Sequence, residues 1–152
     1  MAEELYDIDF PNLGKLGFTR TSEPAYYNCL AYAVGDLKRK WWPGDYLPFW
    51  SVDYWPKDAP REETLDAFLL ALATVGYSVS NTDEFNLAIE KIAIYALNGL
   101  VKHVALQQAD GAWRSKLGSD EDIEHTLVGL EGPAYGKVVA YLSRPRGGSV
   151  SP

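Results

Sequence analysis

Asn98-Gly99 stands between two β-prone runs, and no other dipeptide constrains this chain so tightly. Asn-Gly suits a two-residue turn whose backbone twist matches that of paired strands. The flanking runs, Lys91 to Leu97 and Leu100 to Leu106, are therefore predicted to pair antiparallel. A second turn signal, Ala109-Asp110-Gly111, leads into another run from Trp113 to Leu117. Lys137 to Leu142 reads as a final strand.

Helical patterns come earlier. Asn28 is a plausible N-cap, and Leu30, Ala33, Val34 and Leu37 then recur at spacings of three and four. A second helix is predicted from Pro60, with an apolar stripe of Leu65, Phe68, Leu69, Leu72 and Ala73, and Gly76 as its stop. A third is predicted from the capping-box pattern of Ser119 and Asp122 through Leu130, which places His125 mid-helix. Pro11, Gly14, Gly17 and Pro24 break any regular pattern before Cys29, so the first 27 residues read as an irregular arm. This order of elements is α+β: N-terminal helices packed on a small, mostly antiparallel sheet. A single domain over residues 1–144 and a disordered Gly/Ser/Pro-rich tail over 145–152 are expected.

Composition narrows the function classes. The chain has 152 residues and is 47% hydrophobic, enough for one real core. Its net charge is −7, with 21 acidic against 14 basic residues. Such a surface repels a phosphate backbone and anionic lipid, so neither nucleic acid nor membrane is an expected partner. The short basic run Lys38-Arg39-Lys40 suits a helix C-terminus instead. One cysteine excludes an internal disulfide framework. The acidic start lacks the basic and apolar regions of a signal peptide, and no apolar run is long enough to span a bilayer. A cytoplasmic location is the expectation.

The lone cysteine is where chemistry is sought. Cys29 falls at a predicted helix start, where unpaired N–H groups and the helix dipole favour a thiolate. His103 falls in a predicted strand. If Gly111 adopts the left-handed conformation of a three-residue turn, Ala105 faces Ser115, and Ser115 becomes the diagonal neighbour of His103 on one sheet face. Trp113 then shares that face and desolvates the imidazole. A two-residue turn would swap the faces and leave His125 as the better third member. The candidate catalytic residues are thus Cys29, His103, Ser115 and His125. Cys29, His103 and His125 have structural alternatives: a core thiol, a strand histidine at a sheet edge, a packed or surface helical histidine. Cys29, His103 and His125 could ligate zinc as a catalytic trio, but the sequence has no close ligand pair, so no metal and no cofactor is expected.

Residues 41–56 hold four of the five tryptophans, and their prolines forbid a helix or a central strand. The stretch is either a satellite core or the wall of a groove beside Cys29. Asn28, Trp41, Trp42, Trp50, Trp55 and Trp113 are the candidate substrate-binding residues. Asn28 has two readings, an oxyanion donor or a helix cap.

The run His103-Val104-Ala105-Leu106, the turn Ala109-Asp110-Gly111 and Trp113-Arg114-Ser115 resemble the histidine hairpin of NlpC/P60 papain-like cysteine hydrolases. With Cys29 the resemblance covers about a quarter of the chain. It implies a papain-like fold and a thiol nucleophile with an imidazole base. This chain has Ser115 where that family often has a second histidine. The whole chain is similar to an uncharacterised bacterial family. The similarity runs through Asn28-Cys29-Leu30-Ala31, Trp41-Trp42-Pro43, Tyr54-Trp55-Pro56, Glu63-Thr64-Leu65, Trp113-Arg114-Ser115-Lys116-Leu117-Gly118 and Ile123-Glu124-His125. The expected activity is a Cys–His hydrolase or acyl transferase acting on an amide of a peptide or a glutamine side chain. The alternative is a non-catalytic immunity or adaptor protein that binds a protein partner through its acidic, aromatic surface.

Overall fold

The structure, a computed structural model, describes residues 10–16, 18–20, 28–36, 40–43, 54–82, 84–116 and 122–146. Among the described residues, three α-helices are α1 (Pro11–Leu16), α2 (Cys29–Val34) and α3 (Leu65–Ala73). The strands are β1 (Phe18–Arg20), β2 (Ser78–Ser80), β3 (Ile89–Leu97), β4 (Leu100–Gln107), β5 (Trp113–Lys116), β6 (Asp122–His125) and β7 (Lys137–Pro145). They form one sheet in the order β1-β6-β5-β4-β3-β7-β2, with every pairing antiparallel. The α+β reading holds. No described helix is long and apolar enough to cross a membrane.

Local signals set both central hairpins. Asn98 and Gly99 have φ of 54° and 84°, the positive values that a two-residue turn requires. At the second turn, Gly111 has φ of 90°, its N–H donates to the Gln108 carbonyl at 2.9 Å, and the Gln108 N–H donates to the Ala112 carbonyl at 2.7 Å. This is the three-residue turn, and Gln107 pairs with Trp113 and Leu106 with Arg114, the register it dictates.

The sheet is covered on both sides. On one face α2 and α3 pack with Trp41, Trp55, Ile92, Ile94, Val104 and Leu142. The other face carries Phe10 and Leu13 with Ala93, Tyr95, Ala105, Trp113, Ile123 and Leu130. Two irregularities beside Tyr95 decide which residues reach which face. In β4 the register steps from His103 opposite Tyr95 to Val101 opposite Ala96, leaving Lys102 extra. In β7 it steps from Ala140 to Val138, leaving Val139 extra. Such bulges re-aim side chains. The Lys102 bulge lets Val101 and Val104 face the α2–α3 layer, while His103 faces the other.

Several elements differ from the sequence reading. The segment expected to form a third helix is strand β6 followed by a 3₁₀ turn, Val128–Leu130. His125 is therefore a strand residue, paired with Trp113 on one side and Phe18 on the other. Four residues of β6 carry little helix preference of their own, and two waiting edges satisfy their backbone groups. Ser119, the expected cap, lies outside the described residues. The arm before Cys29 contains α1 and β1. α2 is shorter than its apolar pattern, because Gly35 takes a left-handed φ of 88° and caps it. α3 begins at Leu65, not at Pro60, because Thr64 caps it by accepting from the Ala67 N–H at 3.3 Å. Leu37, Lys38, Arg39 and the tail from residue 147 lie outside the described residues; Pro145, expected to begin the tail, ends β7.

Candidate functional site

Cys29 is the first residue of α2, and Asn28 is its N-cap. The Asn28 side-chain oxygen accepts from the N–H groups of Ala31 at 3.1 Å and Trp41 at 3.0 Å. Its amide nitrogen donates to the Trp41 carbonyl at 2.7 Å. Both polar atoms are thus engaged by backbone. Asn28 is a cap and a clamp on the aromatic segment.

α2 packs on β4 and β5. The Val104 amide hydrogen-bonds the Cys29 sulfur, which places the thiol one residue along the strand from His103. Burial pushes the thiol up to about 11, and the amides of Val104, Leu30 and Cys29 itself only partly oppose that shift. Cys29 is 5% exposed and His103 is fully buried. The helix-start position therefore does not by itself yield a thiolate. Desolvation outweighs what the amides supply.

His103, Ser115 and His125 come together as a chain of hydrogen bonds. The His103 Nε2 lies 2.8 Å from the Ser115 Oγ, and the Ser115 Oγ lies 2.6 Å from the His125 Nε2. The His125 Nδ1 lies 2.7 Å from the Thr126 carbonyl oxygen. A carbonyl only accepts, so the network assigns every proton. The His125 Nδ1–H donates to Thr126, which leaves the His125 Nε2 as an acceptor. The Ser115 hydroxyl donates to it. Ser115 in turn accepts from the His103 Nε2–H. The His103 Nδ1 is left unprotonated, and it has no hydrogen-bond partner among the described residues. A buried acceptor without a partner costs about 1–3 kcal/mol.

Both imidazoles are held neutral. Burial, and then the repulsion that a protonated His125 would exert, keep His103 well below its usual range. Burial lowers His125 to about 4, against a smaller upward pull from the Thr126 carbonyl. Around His103, the Tyr135 ring stacks in parallel with centroids 4.2 Å apart, and Tyr95 meets it edge-on at 5.5 Å. Tyr95 anchors its own hydroxyl on the Leu127 carbonyl at 2.7 Å.

The candidate substrate-binding tryptophans serve elsewhere. Trp41 and Trp55 are core residues, each 4% exposed. Trp41 packs on Tyr54 with centroids 4.7 Å apart, while Trp42 and Trp55 meet Phe68 edge-on at 5.3 and 5.1 Å. Their indole N–H groups donate to Asp36, Glu63 and the Pro60 carbonyl. The satellite-core reading describes these three, with Trp42 half-buried at its margin. Trp50 lies outside the described residues. Trp113 is buried on the His103 face of the sheet.

Sequence reasoning missed Tyr135, Thr126 and the cross-strand ion pair Arg114–Glu124 at 3.7 Å; Lys116 pairs with Asp122 at 3.9 Å. No local signal identifies Tyr135, since its contact with His103 depends on how β7 joins the sheet. Among the described residues, no group of three or more His, Cys, Asp or Glu side chains is placed to hold a metal ion.

An antiparallel α+β sheet with a directional His–Ser–His chain buried in one face is the class that these observations define. The chain belongs to the family described as a domain of unknown function, DUF7689, whose model matches residues 19–143. No curated protein and no solved structure matches it.

Proposed function

We propose that this protein is a Cys–His hydrolase or acyl transferase acting on an amide bond, held closed at rest. The single observation that carries this reading is the bare, partnerless His103 Nδ1. A network that spends its hydrogen bonds on fixing one tautomer, and leaves the remaining nitrogen as a free acceptor, has prepared a base. In the proposed step the closed site opens and brings the Cys29 thiol, which makes no hydrogen bond to His103 at rest, to the His103 Nδ1; its proton passes there as sulfur bonds to the amide carbon. His103 then returns the proton to the departing amine, leaving a thioester. Water or a second amine releases the acyl group. Ser115 and His125 orient the ring but supply no negative charge. The mechanism is therefore general-base deprotonation, not a standing thiolate–imidazolium pair.

A papain-like architecture is part of this proposal. A helix-start thiol, a strand histidine and a polar partner on the next strand support it. One departure is clear: the body of α2 covers one sheet face, and the His103 ring rises from the other. The expected substrate is a peptide or a protein glutamine, and a cytoplasmic location belongs to the same proposal.

The second reading is a non-catalytic immunity or adaptor protein on the same fold. The burial of both Cys29 and His103 favours it. Alkylation by iodoacetamide separates the two. A thiol that titrates near 11 is ionised to only about one part in ten thousand at neutral pH. Catalytic coupling predicts labelling above that floor near pH 7, and at least a roughly tenfold fall in His103→Ala. Labelling that follows only the high thiol titration, and is unchanged in folded His103→Ala, refutes the enzyme and leaves the binding protein.

A further inference from the structure

We propose that the loop Gly132–Gly136 is a movable strap over the His103 site, with Tyr135 as its cover. The inference deepens the functional reading above by naming the gate of the same site. The strap closes on itself: the Gly132 N–H donates to the Gly136 carbonyl at 3.0 Å, and the Gly136 N–H donates back at 2.8 Å. It can therefore move as a unit. Its ends are glycines with positive φ, 153° at Gly132 and 79° at Gly136. Gly136 is seated against the Ala96 carbonyl of β3 so closely that a Cβ has no room there. Beside Gly132, the Glu131 N–H donates to the Val128 carbonyl of the 3₁₀ turn at 3.0 Å, and its carboxylate accepts the Val138 N–H at 3.2 Å.

Tyr135 is half-buried while the ring beneath it is fully buried, so its phenol stands between His103 and solvent. Tyr135 makes ring contacts to Phe10 at 4.8 Å, Tyr95 at 6.3 Å and His103 at 4.2 Å. Such contacts are modest and reversible. Beside the strap lies a cavity of about 760 Å³, bordered by Asn12, Asn98, Glu131, Gly132, Gly136 and Lys137. A group bound there meets the base of the strap directly. A local opening that keeps β3 and β4 intact would bare the imidazole without unfolding the sheet.

Carbethoxylation of His103 by diethyl pyrocarbonate, mapped by peptide mass spectrometry, tests this. His103 should react slowly in the native chain, at least about tenfold faster in Tyr135→Ala, and near the native rate in Tyr135→Phe, which keeps the ring. Hydrogen exchange on the native chain gives a second reading without a variant. The Val138 amide, whose acceptor is the Glu131 carboxylate at the base of the strap, should exchange at least about a hundredfold faster than those of Ile94 and Val104. Unchanged His103 modification in folded Tyr135→Ala, or a Val138 amide that exchanges together with the core, overturns the strap. Both measurements report access to the ring and not its coupling to Cys29, so this proposal and the enzyme reading fail separately.

Discussion

Mild acid is the sharpest perturbation of this molecule, because two neutral imidazoles are buried in one hydrogen-bonded chain. An unfolded histidine titrates near 6.5, whereas His125 in the fold titrates near about 4. Between those values the unfolded chain binds the proton and the native one does not. Stability from this group is therefore full above about pH 6.5 and is lost as pH falls toward about 4. From pH 7 to pH 5, His125 alone removes about 2 kcal/mol. His103 is shifted in the same direction by burial and by repulsion from His125 when both would be protonated, and it adds to the same slope. The pair should thus cost roughly 2–4 kcal/mol over that interval, a large share of the 5–15 kcal/mol typical of a domain. Urea unfolding followed by tryptophan fluorescence at half-unit steps of pH measures it. His125→Gln should reduce the slope by about one proton, an effect that a merely structural loss would not produce. Stability that changes by less than about 0.5 kcal/mol from pH 7 to 5 would refute the neutral buried chain.

Three further outcomes are expected. Ser115→Ala strands the His103 Nε2 and the His125 Nε2, and should cost about 2–5 kcal/mol by denaturant unfolding; ring ¹⁵N shifts should show that His103 no longer keeps one tautomer. Asn28→Ala removes the α2 cap and both bonds to Trp41, and should cost about 2 kcal/mol, with faster exchange of the Ala31 amide. Gly136→Ala places a Cβ against the Ala96 carbonyl at a positive φ, and should cost at least about 2 kcal/mol in thermal or denaturant unfolding; a neutral result would contradict the seating of the strap.

What the sequence determined by itself lies where geometry is local. Asn98-Gly99 and Gly111 impose their turns through backbone preferences that no distant contact needs to supply. The three-residue turn then carries the Gln107–Trp113 register, and from it the meeting of His103 and Ser115. Asn28 reads as a cap for the same reason, since its acceptor reaches the Ala31 N–H within one turn of chain. Tertiary structure decided the rest. Segment 122–125 became a strand because Trp113 and Phe18 flank His125, and Phe18 is more than a hundred residues away in the chain. That pairing brings His125 to Ser115, so the two alternative third members became consecutive links of one chain. The Lys102 bulge, set by the fit of β4 to β3, turns His103 away from the α2–α3 layer. Burial, finally, is a property of the packed whole: a helix-start cysteine reads as activated, and the neutral thiol follows from what the sheet and its covering layers exclude, which is water.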